Sequence, residues 1–166
     1  MKRFLVLCAA LVPSLFLVGC ESDARIGLIK DTTLLLGNAT GKVSDIKNRL
    51  AAAIKTAEET GKKIDFTEVT DSLKGLKEVG GQAQILKKNI DQVRLEVSEQ
   101  DRKAYAEKER NNLSTAFAEL LKAKKQLNDE LTRAETIQDG KNRPAVSDFR
   151  AKLIEAESPF EALARQ

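Results

Sequence analysis

Apolar residues recur every seven positions in the first half of the chain, and no other feature constrains its fold as strongly. One set is Ile29, Leu36, Val43, Leu50 and Ala57, and a second, mostly apolar set follows three positions after its first four members: Thr32, Ala39, Ile46 and Ala53. Such alternating spacings of three and four residues lie on one face of an α-helix. We therefore predict a long helix from about residue 24 to Thr60, ended by Gly61. Gly37 and Gly41 weaken its middle, where we expect a kink.

A second helix is predicted after a short connection. Asp65 and Glu68 have the spacing of a capping box, in which side chains bond the free N–H groups at a helix start. A stripe with spacings of three and four follows: Leu76, Val79, Ala83, Leu86, Ile90, Val93 and Val97. Gly80 and Gly81 interrupt this stretch, and glycine pairs are typical of helix breaks. We expect the second helix to be broken there.

Ser98 and Asp101 indicate the start of a third helix. Its apolar stripe is formed by Leu113, Phe117, Leu120, Leu127, Leu131 and Ala134, and it is expected to end near Asp139 and Gly140. Because no glycine or proline lies between the second and third segments, one continuous helix is an open alternative. A shorter amphipathic segment follows Pro144, and Ser158 and Pro159 are typical of the start of a final helical turn.

These segments favour an all-α fold. Ala, Leu, Lys and Glu dominate the composition, and aromatic residues make up only 4%. Helices with one narrow apolar stripe are unstable alone in water and must pack against something. We predict an antiparallel three-helix bundle, about 50 Å long, with a short C-terminal helix, forming one domain over residues 24–166. The alternative is an elongated coiled coil that completes its core by forming a homo-oligomer.

The N-terminus has the layout of a secretion signal. Lys2 and Arg3 precede an apolar run from Phe4 to Val18, which ends in the small residue Gly19. The run is too short for a transmembrane helix, which needs about 20 apolar residues. Its last residues and the next one, Leu17-Val18-Gly19-Cys20, resemble the lipobox of bacterial lipoproteins.

This resemblance implies a specific processing route. The signal peptidase of lipoproteins would recognise Leu17, Val18 and Gly19, remove residues 1–19 and leave Cys20 as the acylated first residue. Residues 20–23 would then be a linker between the membrane and the helical domain. Glu21 takes the sorting position of such proteins, where aspartate retains lipoproteins at the inner membrane. We therefore expect outer-membrane residence if the host has two membranes.

The remaining composition argues against catalysis. The chain contains no His, and its only other cysteine, Cys8, lies within the predicted signal. We expect no catalytic residues, no metal site, no cofactor and no enzymatic activity. Loss of the signal leaves 26 basic and 25 acidic residues, so nucleic acid is not an expected partner.

Two groups of lysines have ordinary structural explanations. Lys62 and Lys63 follow a helix end, where cations stabilise the negative end of the helix dipole. Lys122, Lys124 and Lys125 form a basic cluster that nearby acidic residues neutralise: Glu119, Asp129 and Glu130. We interpret this cluster as a solvated helix face rather than a site for anionic lipids.

The expected function is that of a lipid-anchored scaffold, tether or binding module in the cell envelope. A membrane attachment through the acyl chains and an envelope protein partner are both expected. Apolar residues left over from the core would bind this partner, and the candidates lie in the late segment: Val146, Phe149, Leu153 and Phe160. The alternative is a surface-exposed recognition lipoprotein, such as an adhesin-like protein or an exclusion factor.

Overall fold

The computed structural model confirms the all-α bundle. It describes residues 14–92 and 104–164, with side chains described for residues 26–89, 107–161 and 163. Four helices account for nearly all of these residues: α1 (Ser14–Thr60), α2 (Thr67–Gln92), α3 (Ala104–Thr136) and α4 (Arg143–Ala164). A short helical turn, Ile137–Gly140, connects α3 to α4. The C-terminal helix is longer than expected, with 22 residues, and forms a full side of the bundle.

The four helices form a ring in which the chain runs up, down, up and down. Helix α1 packs against α2 and α3, while α4 packs against α2 and approaches α3 less closely. The ion pair between Arg133 and Glu58 joins the ends of α3 and α1, so these helices run in the same direction. Helices α2 and α4 also run in the same direction, because Phe66 contacts Phe149 near the start of both helices and Gly80 lies against Pro159 further along both. Because α2 reverses the direction of α1, α2 and α3 are antiparallel and cannot be one continuous helix.

The predicted apolar stripes form the core. On α1, the residues Leu36, Val43, Ile46 and Leu50 are fully buried. The other helices contribute Val69, Leu76, Ala83, Leu127, Leu131, Val146 and Phe149 to the same cluster. Burial of these side chains is the main stabilising contribution, since each large aliphatic side chain removed from water contributes about 1.5–3 kcal/mol. Among the described residues, this core is buried within a single chain.

Helix α1 is longer at its N-terminus than expected and ends where predicted. Residues 20–23, expected to be a linker, continue the helix, and so do Gly37 and Gly41, where a kink was expected. The helix ends at Thr60, and Gly61 follows with a φ of +67°. Only glycine adopts this backbone conformation freely, so Gly61 is a helix-ending residue.

Helix α2 begins at Thr67, two residues after Asp65, and one bond of the predicted capping box is formed. The carboxylate of Asp65 accepts a hydrogen bond from the Thr67 backbone N–H at 2.8 Å. This bond satisfies one of the N–H groups that a helix start leaves without a partner. The expected third cap, Ser98 and Asp101, lies outside the described residues, as do Val93 and Val97.

Two predicted interruptions are absent from the described helices. Helix α2 runs through Gly80 and Gly81, and α4 runs through Pro159 instead of ending before it. Proline has no N–H to bond the carbonyl four residues earlier, which here belongs to Glu155. The Ser158 hydroxyl donates to that carbonyl oxygen at 3.1 Å, so the helix continues with the carbonyl satisfied.

Candidate functional site

The lipobox residues lie at the beginning of α1. Leu17, Val18, Gly19, Cys20 and Glu21 have helical backbone, and their side chains are outside the described set. Residues 1–13, the larger part of the predicted signal, are also outside the described residues. Cys20 is therefore placed at one end of the 47-residue helix α1.

The late apolar segment is core and not a free binding surface, so this prediction is corrected. Val146, Phe149, Leu153 and Phe160 are each at most 4% exposed. The physical reason is the length of α4, which lets its whole apolar face pack along α2. Phe149 also contacts Phe66, with ring centroids 5.7 Å apart and planes tilted by 39°. These side chains are already covered within the chain.

A different region brings exposed polar groups together at the end of α1 opposite Cys20. Residues 61–66 connect α1 to α2, and residues 137–142 connect α3 to Arg143, the first residue of α4. Both connections lie where α1 and α3 end and α2 and α4 begin. We call residues 61–66 and 137–143 together the distal end.

Two side-chain amides hold the connections of the distal end to each other. Gln138 Nε2 donates to the carbonyl oxygen of Ala57 at 3.1 Å and also to that of Lys62. The Ile64 backbone N–H donates to Asn142 Oδ1 at 3.1 Å, and Asn142 is 2% exposed. Gln138 thus satisfies a carbonyl in the last turn of α1, where the helix itself offers no partner. The two connections form one continuous surface.

The α3–α4 connection turns through an uncommon backbone conformation. Gln138, Asp139 and Gly140 have φ values of 53°, 55° and 77°, all in the left-handed region. Such a conformation is unfavourable for residues other than glycine and persists where surrounding contacts hold it. At Gln138, the two hydrogen bonds to the α1 end supply this restraint.

The distal end carries an excess of exposed cations. It contains Lys62, Lys63, Lys141 and Arg143 but only two acidic residues, Asp65 and Asp139. All six are exposed. Hydrogen bonds from the side chain and backbone of Thr67 lower the pKa of Asp65, so that carboxylate is already engaged at the start of α2. The net charge of the distal end is therefore positive.

An open groove of about 400 Å³ adjoins the distal end between α1 and α2. Arg49, Lys62 and Lys63 line it together with Asp65 and Glu68, and small residues form the remaining wall. The hydroxyls of Thr56 and Thr60 donate to carbonyl oxygens of their own helix, at 3.1 and 2.7 Å. The groove is thus lined by side chains of both charges, which makes it suited to binding polar groups.

A second polar cluster joins α3 to α4 through Lys124. Its amine lies 3.0 Å from a carboxylate oxygen of Glu157 and 3.5 Å from one of Glu161. Burial raises the pKa of Glu157, although the hydrogen bond and positive charge of Lys124 oppose this and the charge of Glu161 adds to it. The interpretation of this cluster as a solvated helix face does not include Glu157 and Glu161, the main partners of Lys124, because they lie on another helix.

Within residues 14–92 and 104–164, no cluster of His, Cys, Asp and Glu has the arrangement of a metal site. The helices of this part include none with the length and apolar character needed to cross a membrane. No protein-family model, curated protein or solved structure matches the chain.

Proposed function

We propose that the chain is a lipid-anchored, non-enzymatic module of the bacterial cell envelope. In this proposal the acyl chains on Cys20 hold it to a membrane, and the helical bundle acts as a spacer. The observation that carries the proposal is the continuity of α1, which includes Cys20 and ends at the distal end. Forty residues of helix span roughly 60 Å at 1.5 Å per residue.

A spacer must be rigid enough to hold its two ends at a constant distance. An isolated helix of this kind would be marginally stable in water, because helical stability in proteins comes mostly from packing. Here α2 and α3 cover α1 along its buried stripe from Leu35 to Ala57. The bundle therefore supports α1 over most of the distance between the anchor and the distal end.

The proposed absence of catalysis rests on the residues available. The chain has no His, and its cysteines are Cys8 and Cys20. Removal of the signal takes Cys8, and acylation blocks the thiol of Cys20. Histidine, the commonest general base, and a free cysteine thiol, a common nucleophile, are then both missing. Binding and spacing remain as the functions that the exposed groups of the distal end support.

Metabolic labelling with a fatty acid tests the anchor. Cys20→Ala should abolish labelling and leave unprocessed precursor or a product outside the membrane fraction. Cys8→Ala is the matched control, because it removes the other thiol and should leave labelling and processing unchanged. If the Cys20→Ala protein is still labelled and still matures at residue 20, the proposal fails.

The proposed outer-membrane location depends on Glu21. In a host with two membranes, the wild-type protein should fractionate mainly with the outer membrane, and Glu21→Asp should move it toward the inner membrane. Separation of the two membranes on a density gradient measures this. Recovery of wild-type protein mainly from the inner membrane would refute the sorting proposal without affecting the anchor.

A further inference from the structure

We propose that the distal end binds an anionic lipid bilayer facing the membrane that holds Cys20, so that the protein bridges two membranes. This inference rests on the proposed lipid anchor. It assigns the partner of the distal end to negatively charged lipid headgroups.

The first observation is that the fold gathers cations from two distant parts of the sequence. Lys62 and Lys63 follow α1, whereas Lys141 and Arg143 lie about 80 residues later. The bonds of Gln138 to the Lys62 carbonyl and of Asn142 to the Ile64 N–H place these segments side by side. Four exposed cations are therefore brought to one end of the bundle.

The second observation is that the fold does not use these cations as ion-pair partners. In the described part of the chain, none of the four forms an ion pair. By contrast, Arg133 at the edge of the distal end is paired with Glu58 at 2.8 Å. Lys55, one turn before the end of α1, is paired with Glu59 at 3.8 Å. The neighbouring acids are thus partly neutralised, and the four cations are available to an external anion.

Arg143 lies at an electrostatically unfavourable position in its helix. It is the first residue of α4, and a cation is unfavourable at the positive end of a helix dipole. The first turn of α4 holds no acidic residue, and Arg143 forms no ion pair with any described residue. A local rule broken without compensation often marks a functional position.

The form of the distal end favours a bilayer over a protein. Protein interfaces depend on a few large apolar or aromatic anchors. The exposed large apolar residues of the described chain are Leu34, Ile85, Leu121 and Ile154, and none belongs to the distal end. A charged membrane needs no such anchor, because its attraction for each cation adds approximately to the others.

The position of the distal end fits a facing bilayer. Cys20 and the distal end lie at opposite ends of α1, roughly 60 Å apart by helix rise. Contacts of four cations alone are weak and screened by salt. Attachment of the other end to a membrane raises the local concentration of the distal end and makes a weak contact effective.

Vesicle bridging tests this inference. Mature protein, acylated at Cys20, is reconstituted into neutral phosphatidylcholine donor vesicles, and dye-labelled acceptor vesicles with or without phosphatidylglycerol are added. We expect donors to recruit only acceptors that contain phosphatidylglycerol, less strongly at higher salt. Each cation strengthens such binding roughly fivefold, so replacing all four with glutamine should weaken recruitment by roughly 600-fold, nearly three orders of magnitude. This quadruple variant changes Lys62, Lys63, Lys141 and Arg143.

Two further variants control for charge and folding. The side variant removes the same number of exposed cations away from the distal end and should recruit acceptors nearly as well as wild type; it changes Lys88, Lys108, Lys122 and Lys125 to glutamine. The conservative variant exchanges lysine and arginine at the four distal positions and should retain recruitment. Loss of recruitment in the conservative variant, or equal loss in the side variant, overturns the inference.

The remaining outcomes separate the anchor from the distal end. Protein that does not float with neutral donors refutes the anchor, and the bridging inference with it. Protein that floats but recruits no anionic acceptors refutes the bridging inference alone. Stronger recruitment of neutral acceptors coated with an acidic polypeptide, at matched surface charge, would reassign the distal end to an acidic protein.

Discussion

Gly80 of α2 lies directly against Pro159 of α4. A β-carbon at position 80 would lie 3.3 Å from Pro159 Cγ and 3.3 Å from the carbonyl oxygen of Ala156. Two residues that usually interrupt helices therefore meet inside two continuous helices, at a close crossing. The missing side chain of glycine makes room for the proline ring, so this pair defines how closely α2 and α4 approach.

Alanine substitutions at the two neighbouring glycines should have opposite effects. Gly81→Ala should raise the free energy of unfolding by about 0.5–1 kcal/mol, because alanine favours helix and nothing lies within 4 Å of its β-carbon. Gly80→Ala gains the same propensity but forces α4 outward, and should be at least about 1 kcal/mol less stable than Gly81→Ala. Urea denaturation measures both values. Equal stabilisation by the two substitutions would contradict the close crossing.

The hydrogen bonds of Gln138 should distinguish it from Asp139, its neighbour in the left-handed turn. Gln138→Gly removes two bonds to the end of α1 and should lower the free energy of unfolding by about 1–2 kcal/mol. Asp139→Gly changes an exposed residue with a similar φ and should stay within about 0.5 kcal/mol of wild type. Thermal unfolding followed by circular dichroism compares them. A loss at Asp139 as large as that at Gln138 would show that the two bonds of Gln138 do not account for its effect, because relief of the left-handed backbone by glycine favours stability at both positions.

Glu157 should make stability depend on pH. Burial raises its pKa, so the folded state holds the proton more tightly than the unfolded state does. Its favourable contribution is complete below its unfolded pKa and is lost as the pH rises through the raised folded value. Glu157→Gln should therefore gain stability relative to wild type as the pH rises from about 4 to about 7. Urea denaturation across this range gives the difference, and a difference that does not vary with pH would contradict the prediction.

Lys124 supplies a complementary test of the same cluster. Lys124→Met leaves Glu157 without its cation in a largely buried position and should lower the free energy of unfolding at neutral pH by about 2 kcal/mol. Lys122→Met is the matched control, since Lys122 is exposed and forms no ion pair in the described chain. Equal effects of the two substitutions would show that the contact between Lys124 and Glu157 does not stabilise the α3–α4 side.

The corrected role of the late apolar segment can be tested on α4 itself. Phe149→Ala should lower the free energy of unfolding by about 3–5 kcal/mol, because it opens a cavity among buried neighbours. Ile154→Ala, on the same helix, should change it by less than about 1 kcal/mol because that side chain is 67% exposed. Urea denaturation decides between the two positions. A small effect at Phe149 would restore the interpretation of this face as a free binding surface.

The fold was predictable where it depends on apolar spacing. The residues Leu36, Val43 and Leu50 of the heptad stripe are buried, and α1 ends at Thr60 as its glycine signal predicts. The spacing also predicts Val146 and Phe149 as one apolar face. It does not say whether that face is covered within the chain, and the assignment to a partner was wrong because α4 reaches along α2.

The distal end was not predictable, because its defining contacts join residues that are far apart in sequence. Gln138 and Ala57 are 81 positions apart, and Asn142 and Ile64 are 78 apart. Nothing in the local pattern of an amide residue names a distant backbone partner. Gly80 and Pro159 were misinterpreted for a related reason, since local helix propensity does not include the shape of the helix that packs opposite.

The parallel pairing of α1 with α3 has a consequence for how the chain is made. The contact between Glu58 and Arg133 spans 75 residues, so α1 leaves the ribosome well before the helix that covers one of its sides. At 5–20 residues per second, this delay is roughly 4 to 15 s. During that time the nascent α1–α2 hairpin has an uncovered apolar face. A chaperone that holds such surfaces, or delayed folding until synthesis is complete, would protect the chain from aggregation.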